Sequence, residues 1–547
     1  MNGYEAIAKI MKMEGTEWMA CYPSNPLIEA VAKEGIRPIL FRHERGGIMA
    51  ADGFSRQMRN RKYGVFCSQG GPGVENAMGA IAQAWGDSVP IIYFPDAPDR
   101  YRLTVRPSFR ASYNYQHITK FAESLTAPED IVKFARRAFH ALKNGRPGPV
   151  LLEMPRDVMQ GDVTDLSQYH SPKRMLAQPS AGDIKDAVKA LLGAKRPAIW
   201  AGQGVLYAEA TEELREFAEL TQIPIMTTME GKSAIDEDHP LALGAGNRTA
   251  PKAVFTWLKE SDVLFAVGAS LTITNYGLQA PDGKLIIHNT NNPDDINKDY
   301  KVQIGLPGDA KLTLRAMIDE AKAQLGPEGR EKDTSVREAV AQVKAEWLKE
   351  WAPLLNSDLE PVLPYRLVNE IGKAVDHKNS VLTHDAGHPR DEIMPFFRAT
   401  VPGSYLGWGK TTHLGYGLPL MIGSKIAKPN KFCLNFMGDG AFGMSGLDLE
   451  TAVRAGVPIT TVVLNNGTMG GYNKALPVAM EKYNVGNMTG DYAKVAEGLG
   501  AVGIRVTKPS EIGPAIKKAQ QLNKEGRVVL LDVKTQQQDK FSQYPLK

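Results

Sequence analysis

Two short apolar runs in the last third of the chain, each ending in a tight polar loop, constrain the fold more than any other feature. KFCLNF runs into Met437-Gly438-Asp439-Gly440-Ala441, and ITTVVL runs into Asn465-Asn466-Gly467-Thr468. Between them lies SGLDLETAVRAG, which has the spacing of a helix. Strand, helix, strand in this order predicts a parallel βαβ unit, with Asp439 and Asn466 at the carboxyl ends of its strands. In a doubly wound sheet those ends face the ligand crevice. A carboxylate, a side-chain amide and a backbone carbonyl make an all-oxygen set, suited to Mg²⁺ or Ca²⁺ completed by diphosphate oxygens and water. The glycines let the backbone approach phosphates.

Rival readings of these loops are weaker. Gly438 to Gly443 matches G-x-G-x-x-G, but no acidic residue follows between Thr451 and Met480, where a dinucleotide site would place one. An aspartate in a bare phosphate loop would also repel its ligand unless a cation intervened. Gly409-Lys410-Thr411 resembles the end of a P-loop, yet its first glycine would fall on Ser404. The bland alternative, two tight βα turns, remains for either loop taken alone.

The same alternation fills the chain. VFC at Val65, SVPIIYF and PVLLEM read as strands of a first segment, 1–165. PAIWAG, IPIMTT, VLFAVGAS and KLIIHNT belong to a second, 181–345; SVLTH, KFCLNF, ITTVVL and RVVLLDV to a third, 361–547. A polar stretch from Asp165 reads as a linker. The expected fold class is α/β, with three doubly wound parallel-sheet domains, and the first and third look like one architecture used twice.

A net charge of +4 over 547 residues gives no reason to expect nucleic acid or an anionic membrane as a partner. Three scattered cysteines exclude a disulfide framework and point to a reducing, cytoplasmic setting. No apolar run reaches membrane-spanning length, and the N-terminus reads as an amphipathic helix, not a signal peptide.

Gly438-Asp439-Gly440, with Asn466 following Asp439 by 27 positions, resembles the thiamine-diphosphate signature of acetolactate synthase, pyruvate decarboxylase, benzoylformate decarboxylase and oxalyl-CoA decarboxylase. RHERGGIMAADGFSR from Arg42, GGPGVENAMGAIAQAWGDSVPII from Gly70, GRPGPVLLEMPRDV from Gly145 and HLGYGLPLMIGSKIA from His413 extend the likeness in the family's order. The resemblance implies a pyrimidine-binding domain, a central domain and a diphosphate-binding domain. It also implies a homodimer or homotetramer whose active sites are shared between chains.

By the same resemblance, Asp439, Asn466 and the carbonyl of Thr468 would hold Mg²⁺. Gly387, His388, Gly438, Gly440, Ala441, Asn466 and Gly470 would surround the diphosphate. Leu414 would prop the cofactor into a bent shape, the Thr412 carbonyl would accept its 4′-amino group, and Glu44 would face N1′ of the pyrimidine. The reaction needs this cofactor, since no side chain stabilises an acyl carbanion and a thiazolium does. A glutamate at a helix start also has a bland explanation in the helix dipole. Asn25, Gln116, His117, His388 and His413 are the polar candidates for substrate protons.

Some local patterns depart from the family. After VLFAVGAS the chain reads LTITNYG, without the arginine-containing stretch of flavin-binding members, so FAD is doubtful. The loop bearing arginines from Arg100 to Arg110 suits either an anionic small-molecule substrate or a solvated surface. The leading expectation is a 2-oxo acid decarboxylase or carboligase, acetolactate-synthase-like. A 2-hydroxyacyl-CoA or ketol lyase, and a weakly catalytic cofactor-binding homologue, are the alternatives.

Overall fold

The computed structural model describes residues 1–546. Three six-stranded sheets, all parallel, follow one another along the chain. The first holds β1 (Trp18–Tyr22), β2 (Arg37–Leu40), β3 (Gly64–Ser68), β4 (Ile91–Ala97), β5 (Phe121–Ser124) and β6 (Val150–Pro155). The second holds β7 (Ala198–Ala201), β8 (Ile225–Thr228), β9 (Ala242–Gly246), β10 (Val263–Val267), β11 (Leu285–Thr290) and β12 (Ile304–Pro307). The third holds β13 (Ser380–His384), β14 (Tyr405–Leu406), β15 (Phe432–Gly438), β16 (Thr460–Asn465), β17 (Val502–Val506) and β18 (Val529–Lys534).

The strand orders sort the sheets. The first runs β2-β1-β3-β4-β6-β5 and the third β14-β13-β15-β16-β18-β17, the same order position for position. The middle sheet runs β12-β11-β10-β7-β8-β9, the order of dinucleotide-binding folds read from the other edge. Interior strands such as β3, β10 and β16 are fully buried because helices cover both faces, which is why they read as unbroken apolar runs.

The crossover between β15 and β16 differs in detail from the single helix expected. It is two short helices, Asp439–Ser445 and Asp448–Arg454, and the first begins inside the glycine-rich loop itself. Gly446, between the two, lies against the Phe442 ring, 2.7 Å from where a Cβ would be.

The first and third domains meet along two helices, Glu44–Met58 and Gly417–Ala427. Glycines permit the contact. A Cβ on Gly423 would lie 1.7 Å from the Ala50 carbonyl oxygen, and one on Gly53 would lie 2.0 Å from that of Leu420. Backbone therefore touches backbone, and one core runs from Phe66 and Ile81 of the first domain to Leu420 and Met437 of the third. Among the described residues, no helix is long and apolar enough to cross a membrane. All three cysteines are buried and free.

Candidate functional site

In the third sheet, β13, β15 and β16 are neighbours, and the strand order reverses between β13 and β15. That is the switch point where a crevice opens beyond the carboxyl ends. Gly387 and His388 follow β13, Asp439 to Ala441 follow β15, and Asn466 to Gly470 follow β16. The fold thus gathers Gly387, His388, Gly438, Asp439, Gly440, Ala441, Asn466, Thr468 and Gly470 at one end of one sheet.

The geometry there suits a cation and a diphosphate. Asp439 is 3% exposed, and among the described residues its oxygens accept only backbone N–H groups, Gly440 at 2.9 Å and Gly467 at 2.9 Å. Burial raises its pKa against the pull of those N–H groups, so a cation would be a strong partner for its carboxylate. The Asn466 side-chain oxygen accepts from Thr468 N at 3.0 Å, which closes the loop around the same point. The His388 Nδ1 is buried and has no partner among the described residues, its pKa lowered by burial. Gly470 lets that ring in, since a Cβ would sit 2.6 Å from it. An orphaned nitrogen beside a glycine-lined loop is the environment an anionic oxygen would satisfy, so thiamine diphosphate and a divalent ion fit these residues.

The loop 407–416 faces this crevice from the start of the Gly417–Ala427 helix. Asp385, at the end of β13, holds its far side by accepting Gly415 N at 2.9 Å and Gly417 N at 2.8 Å. Burial pushes the Asp385 carboxyl up to about 6. A Cβ on Gly415 would lie 2.9 Å from Met444, which brings the loop against the Asp439–Ser445 helix. Leu414 packs partly buried on the shared core. Thr412 has φ +54°, the left-handed region that β-branched residues avoid.

Glu44 opens its helix at the carboxyl end of β2, capped by His43, whose Nδ1 accepts from Arg45 N at 3.2 Å. It is 3% exposed. Its Oε2 accepts from Asn76 at 3.3 Å, and Gly73 leaves room for Oε1, which lies 3.2 Å from where a Cβ would be. Arg42 N donates to Asp448 at 2.9 Å, and Arg45 reaches His413 Nε2 at 3.4 Å and the Met444 carbonyl at 3.3 Å. The head of the Glu44 helix is therefore fixed against the third domain's site elements within one chain. Burial first, then Arg45, lowers the pKa of His413.

The other candidates fare differently. Asn25 is buried with its side chain committed: Nδ2 donates to the Ser68 carbonyl at 2.9 Å and Phe94 at 3.2 Å, while Oδ1 accepts from Leu27 N at 2.9 Å. It ties the loop after β1 to the end of β3 and the middle of β4. Gln116 and His117 are exposed on a short 3₁₀ turn. Arg100 to Arg110 follow β4, at the same end of the first sheet as Glu44; Arg100 is paired with Asp157.

Sequence reading missed a cleft, partly open to solvent, at the switch point of the middle sheet. Gly202, Gly268, Asn289 and Asp309 line it, with Asp87 and Lys410 contributed by the flanking domains, and LTITNYG forms part of its wall. The signal lay in the strand order, which no local motif carries.

Family models agree with this layout. The N-terminal TPP binding domain of thiamine pyrophosphate enzymes matches residues 1–118, the central domain 184–317, and the C-terminal TPP binding domain 385–533. The chain belongs to the thiamine pyrophosphate enzyme family. Within it, the probable acetolactate synthase large subunit of Methanocaldococcus jannaschii is 32% identical, covering 95% of this chain and 90% of that protein. The acetolactate synthase large subunit of Corynebacterium glutamicum is 31% identical, covering 97% and 86%. The glyoxylate carboligase of Escherichia coli O157:H7 is 28% identical, covering 96% and 92%. The protein is thus a thiamine-diphosphate-dependent enzyme of carboligase type.

Proposed function

We propose that the chain decarboxylates a 2-oxo acid and joins the resulting fragment to a second carbonyl, in the manner of acetolactate synthase, with Mg²⁺ holding the cofactor. Supporting this reading are a buried glutamate, Glu44, at the carboxyl end of one sheet and the Asp439 and Asn466 loops at the carboxyl end of another of the same architecture. Relatives named acetolactate synthase and glyoxylate carboligase support the carboligase direction. The lyase alternative has no observation of its own in its favour.

The division of labour follows from the side chains. Asp439, Asn466 and the Thr468 carbonyl would supply oxygen ligands to Mg²⁺, and His388 with the Gly438–Ala441 and Gly470 backbone would meet the diphosphate. Leu414 would wedge between the two rings of the cofactor, and the Thr412 carbonyl would accept a hydrogen bond from the amino group. Glu44 would share a proton with N1′ from a site closed to water. When bound, the thiazolium supplies the electron sink for the bond broken beside the carbonyl. His413, half-buried with its pKa lowered by burial and then by Arg45, would exchange substrate protons; Gln116 and Asn25 would be further polar candidates. We further propose that two copies of the chain share each site, the Glu44 of one serving the metal loops of the other.

Glu44→Gln tests the assignment. The variant should keep the cofactor, because metal and diphosphate are held elsewhere. Exchange of the cofactor C2 proton, read by quench and NMR, should slow by roughly 10²–10⁴, the usual worth of one positioned acid/base group. Exchange at the wild-type rate would remove Glu44 from the mechanism.

A further inference from the structure

Thr412 poses a problem that its own loop does not solve. Its left-handed backbone, φ +54°, turns the carbonyl assigned above to the aminopyrimidine, yet a β-branched side chain disfavours that conformation. Something must hold it. The residues on either side of Thr412 both bond to one atom: Gln83 Oε1 accepts from the Thr411 hydroxyl at 2.6 Å and from His413 N at 3.1 Å. Gln83 comes from the Pro72–Gly86 helix of the first domain and is fully buried, and its amide nitrogen has no partner among the described residues. An unpaired buried N–H₂ is unfavourable for a residue that merely fills space, so the connection lies in the oxygen. One turn on, Asp87 continues the grip by accepting Gly409 N at 2.9 Å and Lys410 N at 3.0 Å. Arg56 orients Asp87 at 2.9 Å and donates to the Gly407 carbonyl at 2.9 Å.

We propose that Gln83 is a positioning residue for the thiamine site: by bridging Thr411 and His413 it pins Thr412 in the left-handed conformation and so aims its carbonyl. Asp87 and Arg56 anchor the upstream half of the same loop. Each first domain thereby aligns the cofactor loop of its own chain, a role separate from that of the Glu44 acid. This rests on the functional reading above.

The test uses full-length protein with Gln83→Met, which keeps the length of the side chain but not its acceptor. In cofactor-free protein, amide hydrogen exchange across 407–416 should accelerate while the two sheets stay protected. With thiamine diphosphate and Mg²⁺ added, affinity by calorimetry should hold within about threefold. C2-proton exchange should fall by about 10²-fold, the cost of roughly 1 Å of misplacement. Adding Thr412→Gly, for which the left-handed region is free of strain, should recover at least about tenfold of that loss. Thr411→Val removes one of the two bonds and should show the same change, smaller; it serves if Gln83→Met does not fold. Unchanged loop exchange, or a loss that Thr412→Gly does not relieve, overturns the inference. Failure of the wild type to bind thiamine diphosphate would instead overturn the functional reading, and the cofactor-free exchange arm separates the two.

Discussion

Gly423→Ala should damage catalysis from a position that touches no reacting group. The added Cβ would lie 1.7 Å from the Ala50 carbonyl oxygen and 2.6 Å from its carbon, where real contacts stay beyond 3.0 Å. The obstacle is backbone in the middle of the Glu44–Met58 helix, so no side chain can rotate away. The helices must part by roughly 1 Å or more, since protein interiors are already close-packed. Overpacking of this kind costs about 1–3 kcal/mol. Ala50 lies less than two turns from Glu44, and a rigid helix carries the displacement to the carboxylate. A 1 Å misplacement costs about 10²-fold. The expected result is a lowered denaturation midpoint, with kcat down by about that factor and cofactor affinity nearly unchanged. Gly372→Ala is the control: nothing lies within 4 Å of its Cβ position, and helix propensity should add up to about 1 kcal/mol. Wild-type kcat and stability in Gly423→Ala would refute the claim that backbone contact sets the position of Glu44.

Asp439→Ala should fold as the wild type does and lose Mg²⁺-dependent cofactor binding, since a diphosphate would face a gap in its charge clamp; unchanged affinity by calorimetry would remove Asp439 from the metal site. Burial pushes Asp448 up from 3.8 to about 6. The folded chain therefore holds this proton more tightly than the unfolded one, and the stability it contributes is intact below about pH 4 and lost as pH rises through about 6. Asp448→Asn does not titrate, so wild type should lose up to about 3 kcal/mol relative to it between pH 4 and 7 in denaturant melts. A difference that stays constant with pH would refute the assignment.

The strands legible in the sequence were, with one exception, those interior to the three sheets. Each has helices on both faces and so reads as a run such as VVL or VLLEM. The edge strands β2, β5, β12 and β17 are largely half-buried or exposed and carry mixed sequences, RPIL or FAES. β9, ALGAG, is buried but built of small residues, and β14 has two residues. The interior strand β1, WMACY, lacked a β-branched run. The site loops were legible because glycine, aspartate and asparagine at strand ends carry chemistry locally. Gln83, Asp87 and the middle cleft were not, because their partners lie hundreds of residues away and only the packing of the domains brings them together.

The acid and the metal ligands occupy separate copies of one sheet architecture, and this has a genetic consequence. Suppose Glu44→Gln chains and Asp439→Ala chains, each inactive alone, are unfolded together and refolded as a mixture. If each site draws its glutamate from one chain and its metal loops from another, a mixed dimer contains one site with both defects and one with neither. Random pairing of equal amounts would restore about a quarter of wild-type activity. If every site were built within one chain, the mixture would stay dead. Two loss-of-function alleles of this gene should therefore complement each other when their lesions fall in different halves, and fail to do so when they fall in the same half.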